Sequence, residues 1–93
     1  MTLDTTGFGI GTISPASKLD VAGSIRGNYN TNTTSFFGRT AIGYVGHNDW
    51  GGIAHLDQNS TTNYALIQSS SGITLINAAS TKVTIIWLVT VNV

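Results

Sequence analysis

The clearest periodicity in the chain lies near its end, where Val83, Ile85, Trp87, Val89, Val91 and Val93 occupy every odd position opposite Thr84, Ile86, Leu88, Thr90 and Asn92. Side chains alternate across an extended backbone, so the pattern predicts a strand with one wholly apolar face and a second that is partly so. Left bare, such a strand aggregates, and its simplest cover is another copy of the same chain. A second alternation starts at Leu19: Leu19, Val21, Gly23 and Ile25 point one way, and Asp20, Ala22, Ser24 and Arg26 the other. That predicts a half-buried strand. Ahead of it, Ser14 before Pro15 suits a helix cap followed by the first helical position, so Pro15 to Lys18 reads as a single turn. Gly7, Gly9 and Gly11 alternate upstream and leave one side of an extended segment without side chains, open to close approach by another backbone.

The middle of the chain breaks into short runs. Gly27 to Ser35 is a polar stretch of turn-forming residues and reads as an exposed loop. Phe36 to Gly46 returns to β character, with glycines that shorten or bend the strands, and residues 47 to 52, HNDWGG, read as a turn. A second polar loop spans Asp57 to Asn63. Tyr64 to Gln68 and Ile73 to Asn77, joined by Ser69-Ser70-Ser71-Gly72, form a predicted hairpin.

Composition narrows the fold class to all-β. Ser, Thr, Asn and Gly make up nearly half of the 93 residues, while Glu is absent and Lys and Arg together number only 4. A helical bundle lacks its usual building residues here. Disorder is also excluded, because 41% apolar residues accompany zero formal charge. A chain of this length buries only about 60% of its unfolded surface when it folds alone, and with no cysteine it has neither disulfide nor thiolate-bound metal to compensate. It is expected to need partners in order to fold. The charge balance carries no basic stripe for nucleic acid. The longest apolar stretch is about half a bilayer span, and Thr2, Asp4, Thr5 and Thr6 interrupt any signal-peptide core. Neither nucleic acid nor membrane insertion is expected.

The stretch Gly9-Ile10-Gly11-Thr12-Ile13-Ser14-Pro15-Ala16-Ser17-Lys18-Leu19-Asp20-Val21-Ala22-Gly23-Ser24-Ile25-Arg26-Gly27 resembles the GIGT-x-SP-x-x-KLDV-x-G repeat of phage and other viral tail-fibre and spike shafts. Residues 1 to 7, MTLDTTG, resemble the lead-in to that repeat, and residues 64 to 79 resemble fibre segments carrying YAL-x-QSS-x-G followed by NAA. Together these cover roughly half the chain, the first being the most specific. The resemblance implies a trimer of parallel, often intertwined chains. Such fibres frequently continue into a self-cleaving chaperone domain, for which residues 80 to 93 are too few. Where the family continues with a polar strand and a fresh GIGT repeat, this chain has Ile86-Trp87-Leu88-Val89, either a special packing end or an incomplete shaft unit. The chain then stands as one period of a longer repeating architecture, in which a single repeat cannot bury its core alone.

Chemistry-bearing residues are few. The cluster GFGIGT is similar to a phosphate-cradling loop, but no long helix follows and no Lys-Ser/Thr pair is present. His47 with Asp49, and His55 with Asp57, form two His-x-Asp pairs that on extended backbone each project from one face. His47 and His55 are thus the metal candidates, against the plainer reading of hydrogen-bonded histidines and turn aspartates. Asp49 and Asp57 could serve glycoside cleavage only within a deep cleft, and no serine or cysteine sits in a nucleophile context. Trp50, Tyr44, Tyr29, Asn48 and Asp49 could form a sugar platform, an aromatic face stacking on the ring while amide and carboxylate take hydroxyls; simple packing of Trp50 and Tyr44 is the favoured alternative. Asn32-Thr33-Thr34 and Asn59-Ser60-Thr61 match the glycosylation acceptor pattern, as chance allows in a chain rich in both residues.

The expectation from sequence is therefore an all-β module of short strands and hairpins in an elongated, intertwined trimeric fibre or prism. It comprises a repeat segment at 1–27, a loop-rich β segment at 28–63, and a hairpin with an apolar strand at 64–93. Leu19, Val21, Ile25, Val83, Ile85, Trp87, Val89 and Val91 are expected to line the shared interior. No enzyme activity, resident metal or cofactor is expected. The expected partners are further copies of the chain, other virion fibre or capsid proteins, and host surface glycans. The expected setting is the virion surface, with a glycan-binding recognition module or a capsid coat component as the alternatives.

Overall fold

The computed structural model describes residues 1–85, and they form an all-β structure of two sheets with a single 3-10 turn at Leu56–Gln58. The first sheet comprises β1 (Thr2–Leu3), β2 (Phe8–Ile10) and β3 (Leu19–Val21). β1 and β2 pair antiparallel across a turn fixed by Asp4, whose Oδ1 accepts the Thr6 and Gly7 N–H groups at 2.8 and 3.0 Å. This is the local bond that makes aspartate a turn residue.

β2 and β3 pair in parallel, Phe8 opposite Leu19 and Ile10 opposite Val21. Parallel neighbours ordinarily need a crossover of a dozen or more residues. Here the connection is only Gly11 to Lys18, so it must fold tightly beside its own strands. The alternating glycines make that possible. A Cβ at Gly7 would strike the Ser17 carbonyl oxygen and lie 2.6 Å from Lys18 Cα; one at Gly11, where φ is +77°, would lie 2.8 Å from the Ala22 carbonyl oxygen. The close approach predicted from these glycines exists, but it is between segments of one chain. The predicted helical turn at Pro15 to Lys18 does not form. The segment is a series of bends with Pro15 buried, and the Ala16 N–H is taken by Asp20 Oδ2 at 2.9 Å rather than by a serine cap. The half-buried strand expected from Leu19 to Arg26 stops at Val21, and Leu19 and Ile25 are exposed.

The second sheet is an antiparallel meander of β4 (Thr34–Phe37), β5 (Thr40–Gly43), β6 (Trp50–His55), β7 (Leu66–Ser69) and β8 (Thr74–Ile76). Gly38 at φ +59° followed by Arg39 closes β4 onto β5 with the two-residue pattern of a II′ turn, whose twist matches that of the strands. The predicted hairpin is present as β7 and β8, with Gly72 at φ +93° in its turn. Residues 47 to 52 are only half a turn: His47 to Asp49 turn, whereas Trp50, Gly51 and Gly52 open the central strand. The glycine pair conceals a six-residue strand.

Strand register sorts the meander into two faces. On the inner face Ala41 lies opposite Ala54, Gly43 opposite Gly52, and Gly52 opposite Ile67. Ala41, Ala54 and Ile67 are buried there with Val45, which the β5–β6 loop folds back over the sheet, and Trp50 and Tyr64 pack against the cluster. Gly52 is required beneath that cover, since a Cβ would meet Val45 Cγ2 and lie 2.9 Å from Ile67 Cγ2. These four residues are the whole buried apolar core among the described residues. Val83 and Ile85 are exposed and outside any strand; Trp87, Val89, Val91 and Val93 of the predicted C-terminal strand lie outside the described residues.

Candidate functional site

The principal cleft, about 820 Å³, lies between the loop of residues 27 to 33 and the outer face of the meander. Two asparagines shape the loop, Asn28 at φ +50° and Asn30 at φ +54°, the left-handed conformation that asparagine tolerates better than most residues. Thr31 Oγ1 donates to the Asn28 carbonyl oxygen at 2.7 Å and so closes the turn. Arg26 stacks over Tyr29, its guanidinium carbon 4.2 Å from the ring centroid, which holds the tyrosine at the rim. A bond from the Asp49 N–H to Asn32 Oδ1, 3.0 Å, ties this loop to the β5–β6 connection.

Phe37, Ile42 and Gly51 floor the cleft, Tyr29 brings an aromatic ring to it, Trp50 borders it from a position whose side chain belongs to the inner face, and Asp49 is the carboxylate among its lining residues. A shallower hollow of about 490 Å³ adjoins it, sharing Asn30, Asp49 and Gly51 and extending to Ile53, Leu66 and Gln68. The two make one groove across the outer face. Gly51 is its centre: a Cβ built there meets nothing within 4 Å, and no positive φ requires glycine.

Of the residues singled out for sugar binding, Trp50 and Asp49 reach the cleft, as does Tyr29. Asn48 is exposed and Tyr44 half-buried, and neither lines it; Tyr44 is held by its backbone, whose N–H donates to the Thr33 carbonyl at 3.2 Å and whose carbonyl accepts from Thr34 Oγ1. Trp50 also packs against the core cluster, so its packing and its cleft position coexist. Asn30, Phe37, Ile42 and Gly51 escape a sequence reading because they meet only after β4, β5 and β6 have paired. The one advance sign was Gly51 itself, a glycine next to a tryptophan.

The His-x-Asp pairs do not share a geometry. Asp49 sits at φ +65°, which breaks the extended backbone that would have aligned it with His47. His47 instead belongs to the inner-face cover, with Nε2 donating to the Thr61 carbonyl at 2.8 Å and its ring edge-on to Tyr64 at 5.4 Å and tilted on Trp50 at 6.0 Å. His55 Nδ1 accepts the Asp57 N–H at 3.0 Å and lies 3.8 Å from Asp57 Oδ2, an arrangement that caps the 3-10 turn. Among the described residues no three His, Cys, Asp or Glu side chains come together as a metal-binding group. Asp57 does not line the cleft that holds Asp49, so the carboxylate pair considered for glycoside cleavage is not assembled there. No described helix is long and apolar enough to cross a membrane.

The outer face carries a second feature. Ile42 stands opposite Ile53, Ile53 opposite Leu66, and Leu66 opposite Ile76, an unbroken aliphatic row across four strands. All four are exposed, as is Phe37 on the same face. Comparison of the chain with protein-family models, with curated proteins and with solved structures finds no match in any of the three.

Proposed function

We propose that this chain is a structural module of a viral fibre or spike shaft, assembling as a homotrimer that holds host-contacting loops away from the virion surface. One observation carries the reading: the described residues bury a core of only four apolar side chains, with Pro15 buried apart from it, yet leave eighteen large ones exposed. A core of that size supplies little stabilisation, because each fully buried aliphatic side chain contributes only about 1.5–3 kcal/mol before conformational entropy is subtracted. Burial between chains makes up the difference, and then folding and assembly are one concentration-dependent event. The resemblance of residues 9 to 27 to fibre-shaft repeats supports the viral setting. Light scattering across a dilution series tests the reading. It predicts three times the chain mass of 9.8 kDa, with β structure lost as the complex dissociates. A compact, cooperatively folded monomer at high dilution overturns it. Fibre-shaped density in particle images, as opposed to density in the shell, separates this reading from a coat component.

The cleft favours a second reading, a saccharide-binding module. The aromatic ring of Tyr29 offers a stacking surface, Asn30, Asn32 and Asp49 offer hydroxyl partners, and the open floor at Gly51 admits a ring close to the backbone. Binding on a glycan array that is lost in both Asp49→Ala and Tyr29→Ala supports it; an array without signal removes it.

A further inference from the structure

We propose that the outer face of the meander is the surface on which copies of this chain pack against one another, with the row Ile42, Ile53, Leu66 and Ile76 laid along their common axis. The inference rests on the homotrimer reading above and names its interface, which is neither the repeat strand nor the C-terminal strand nominated from the sequence. A sheet face meant for water alternates to polar residues. This one does the reverse at four successive strands, at exposures of 39, 46, 37 and 56%, with Phe37 at 69% beside them.

Three observations identify the occupant as another copy. The outward positions of the five strands, from Ser35 on β4 to Ile76 on β8, include no Asp, Glu, Lys or Arg, so identical faces meet without charge repulsion. Asp49, in the β5–β6 connection, is the one charged side chain lining the groove beside them. Next, Gly51 leaves open space one residue inside β6, where neither backbone conformation nor packing within the chain calls for glycine. An interior strand glycine of this kind marks the close approach of another backbone or ligand. Finally, the five side chains expose about 500 Å² by their fractional exposures, within the range of the largest, often functional, apolar patch on a monomer. Two such faces in contact bury about 1,000 Å², at the lower limit of a specific interface. Strands crossing that axis at a spacing of about 4.8 Å turn the four-residue row into an apolar seam about 14 Å long, running parallel to it.

The test compares the full chain with Ile53→Asp by sedimentation across a concentration series, following β structure by circular dichroism. The expected result is a trimeric parent and a variant whose half-assembly concentration rises at least about a hundredfold, because a carboxylate would be buried unpaired. Because Ile53→Asp can also fail to fold, Ile53→Cys is oxidised in parallel. The chain has no other cysteine, so rapid formation of covalent dimers from the trimer places the row at the interface. The same treatment of Ile13→Cys, 85% exposed on the β2–β3 crossover, is expected to leave monomeric chains. A trimeric parent with Ile53→Asp equally trimeric and Ile53→Cys uncrosslinked overturns this interface and leaves the homotrimer standing. A parent that stays monomeric at every concentration overturns both.

Discussion

The two faces of the five-stranded sheet are built from the same strands, and Gly51 and Gly52, adjacent in β6, show how differently they are used. Gly52 looks inward, where Val45 and Ile67 occupy the space a side chain would need; Gly51 looks outward into open space. On the inner side the chain's own loops supply cover, through Val45, His47 and Tyr64. On the outer side they supply only the overhang of residues 27 to 33, and an aliphatic row is left bare. The inner face is therefore covered by the chain across its central strands, with Phe36 and Leu75 left exposed towards its edges, while the outer face keeps its whole aliphatic row exposed. The lesson is that an exposed residue on a small β domain is a question about assembly before it is one about the monomer.

The sharpest way to break this contrast is to truncate matching aliphatic residues on the two faces at one fixed protein concentration. Ile67→Ala removes a fully buried side chain from a four-residue core and is expected to cost about 2–5 kcal/mol in urea denaturation. That is enough to unfold a marginal domain. Next comes Gly52→Ala, which forces a methyl group against Val45 and Ile67 and is expected to cost about 1–3 kcal/mol by overpacking. Asp4→Ala, which removes the acceptor of two backbone N–H groups in the first sheet, should cost about 1 kcal/mol and leave the meander intact by hydrogen exchange. The smallest effect has the opposite sign. Gly51→Ala is expected to raise the stability of the dissociated chain by about 0.5–1 kcal/mol, since alanine loses less conformational freedom in a strand. If another copy packs over Gly51, the same substitution weakens assembly, so stability and association move in opposite directions. Equal destabilisation by Gly51→Ala and Gly52→Ala would erase the distinction between the faces.

Much of the local structure was legible because it rests on short-range chemistry. The β7–β8 hairpin follows from two apolar runs around a Ser-rich turn ending in Gly72, and the polar loop expected over residues 27 to 35 holds as far as residue 33, Thr34 and Ser35 being drawn into β4 by pairing with Gly43 and Ile42. Other segments misled for identifiable reasons. Ser14-Pro15 has the composition of a helix start, but Asp20 captures the Ala16 N–H and the parallel pairing of β2 with β3 stretches the segment into bends. Gly51-Gly52 has the composition of a turn, yet β5 and β7 pair with it on both sides and hold it as a central strand. Of the candidate site, Trp50, Asp49 and Tyr29 were visible as polar-aromatic loop residues, whereas Phe37, Ile42 and Gly51 were not, because nothing local marks residues that only strand pairing brings together.

The amino-acid sequence by itself determined the class of structure. Abundant Thr, Ser, Asn and Gly with few helix formers, and too little bulk to shelter its own apolar residues, make an all-β chain short of core. Tertiary structure alone decided which apolar residues stay outside. A one-residue change of register would exchange the faces of every strand, so the row from Ile42 to Ile76 exists only because pairing aligned four positions far apart in the chain. It also decided that the alternating glycines admit a neighbouring segment of the same chain, since the short crossover brings Ser17 and Lys18 against Gly7.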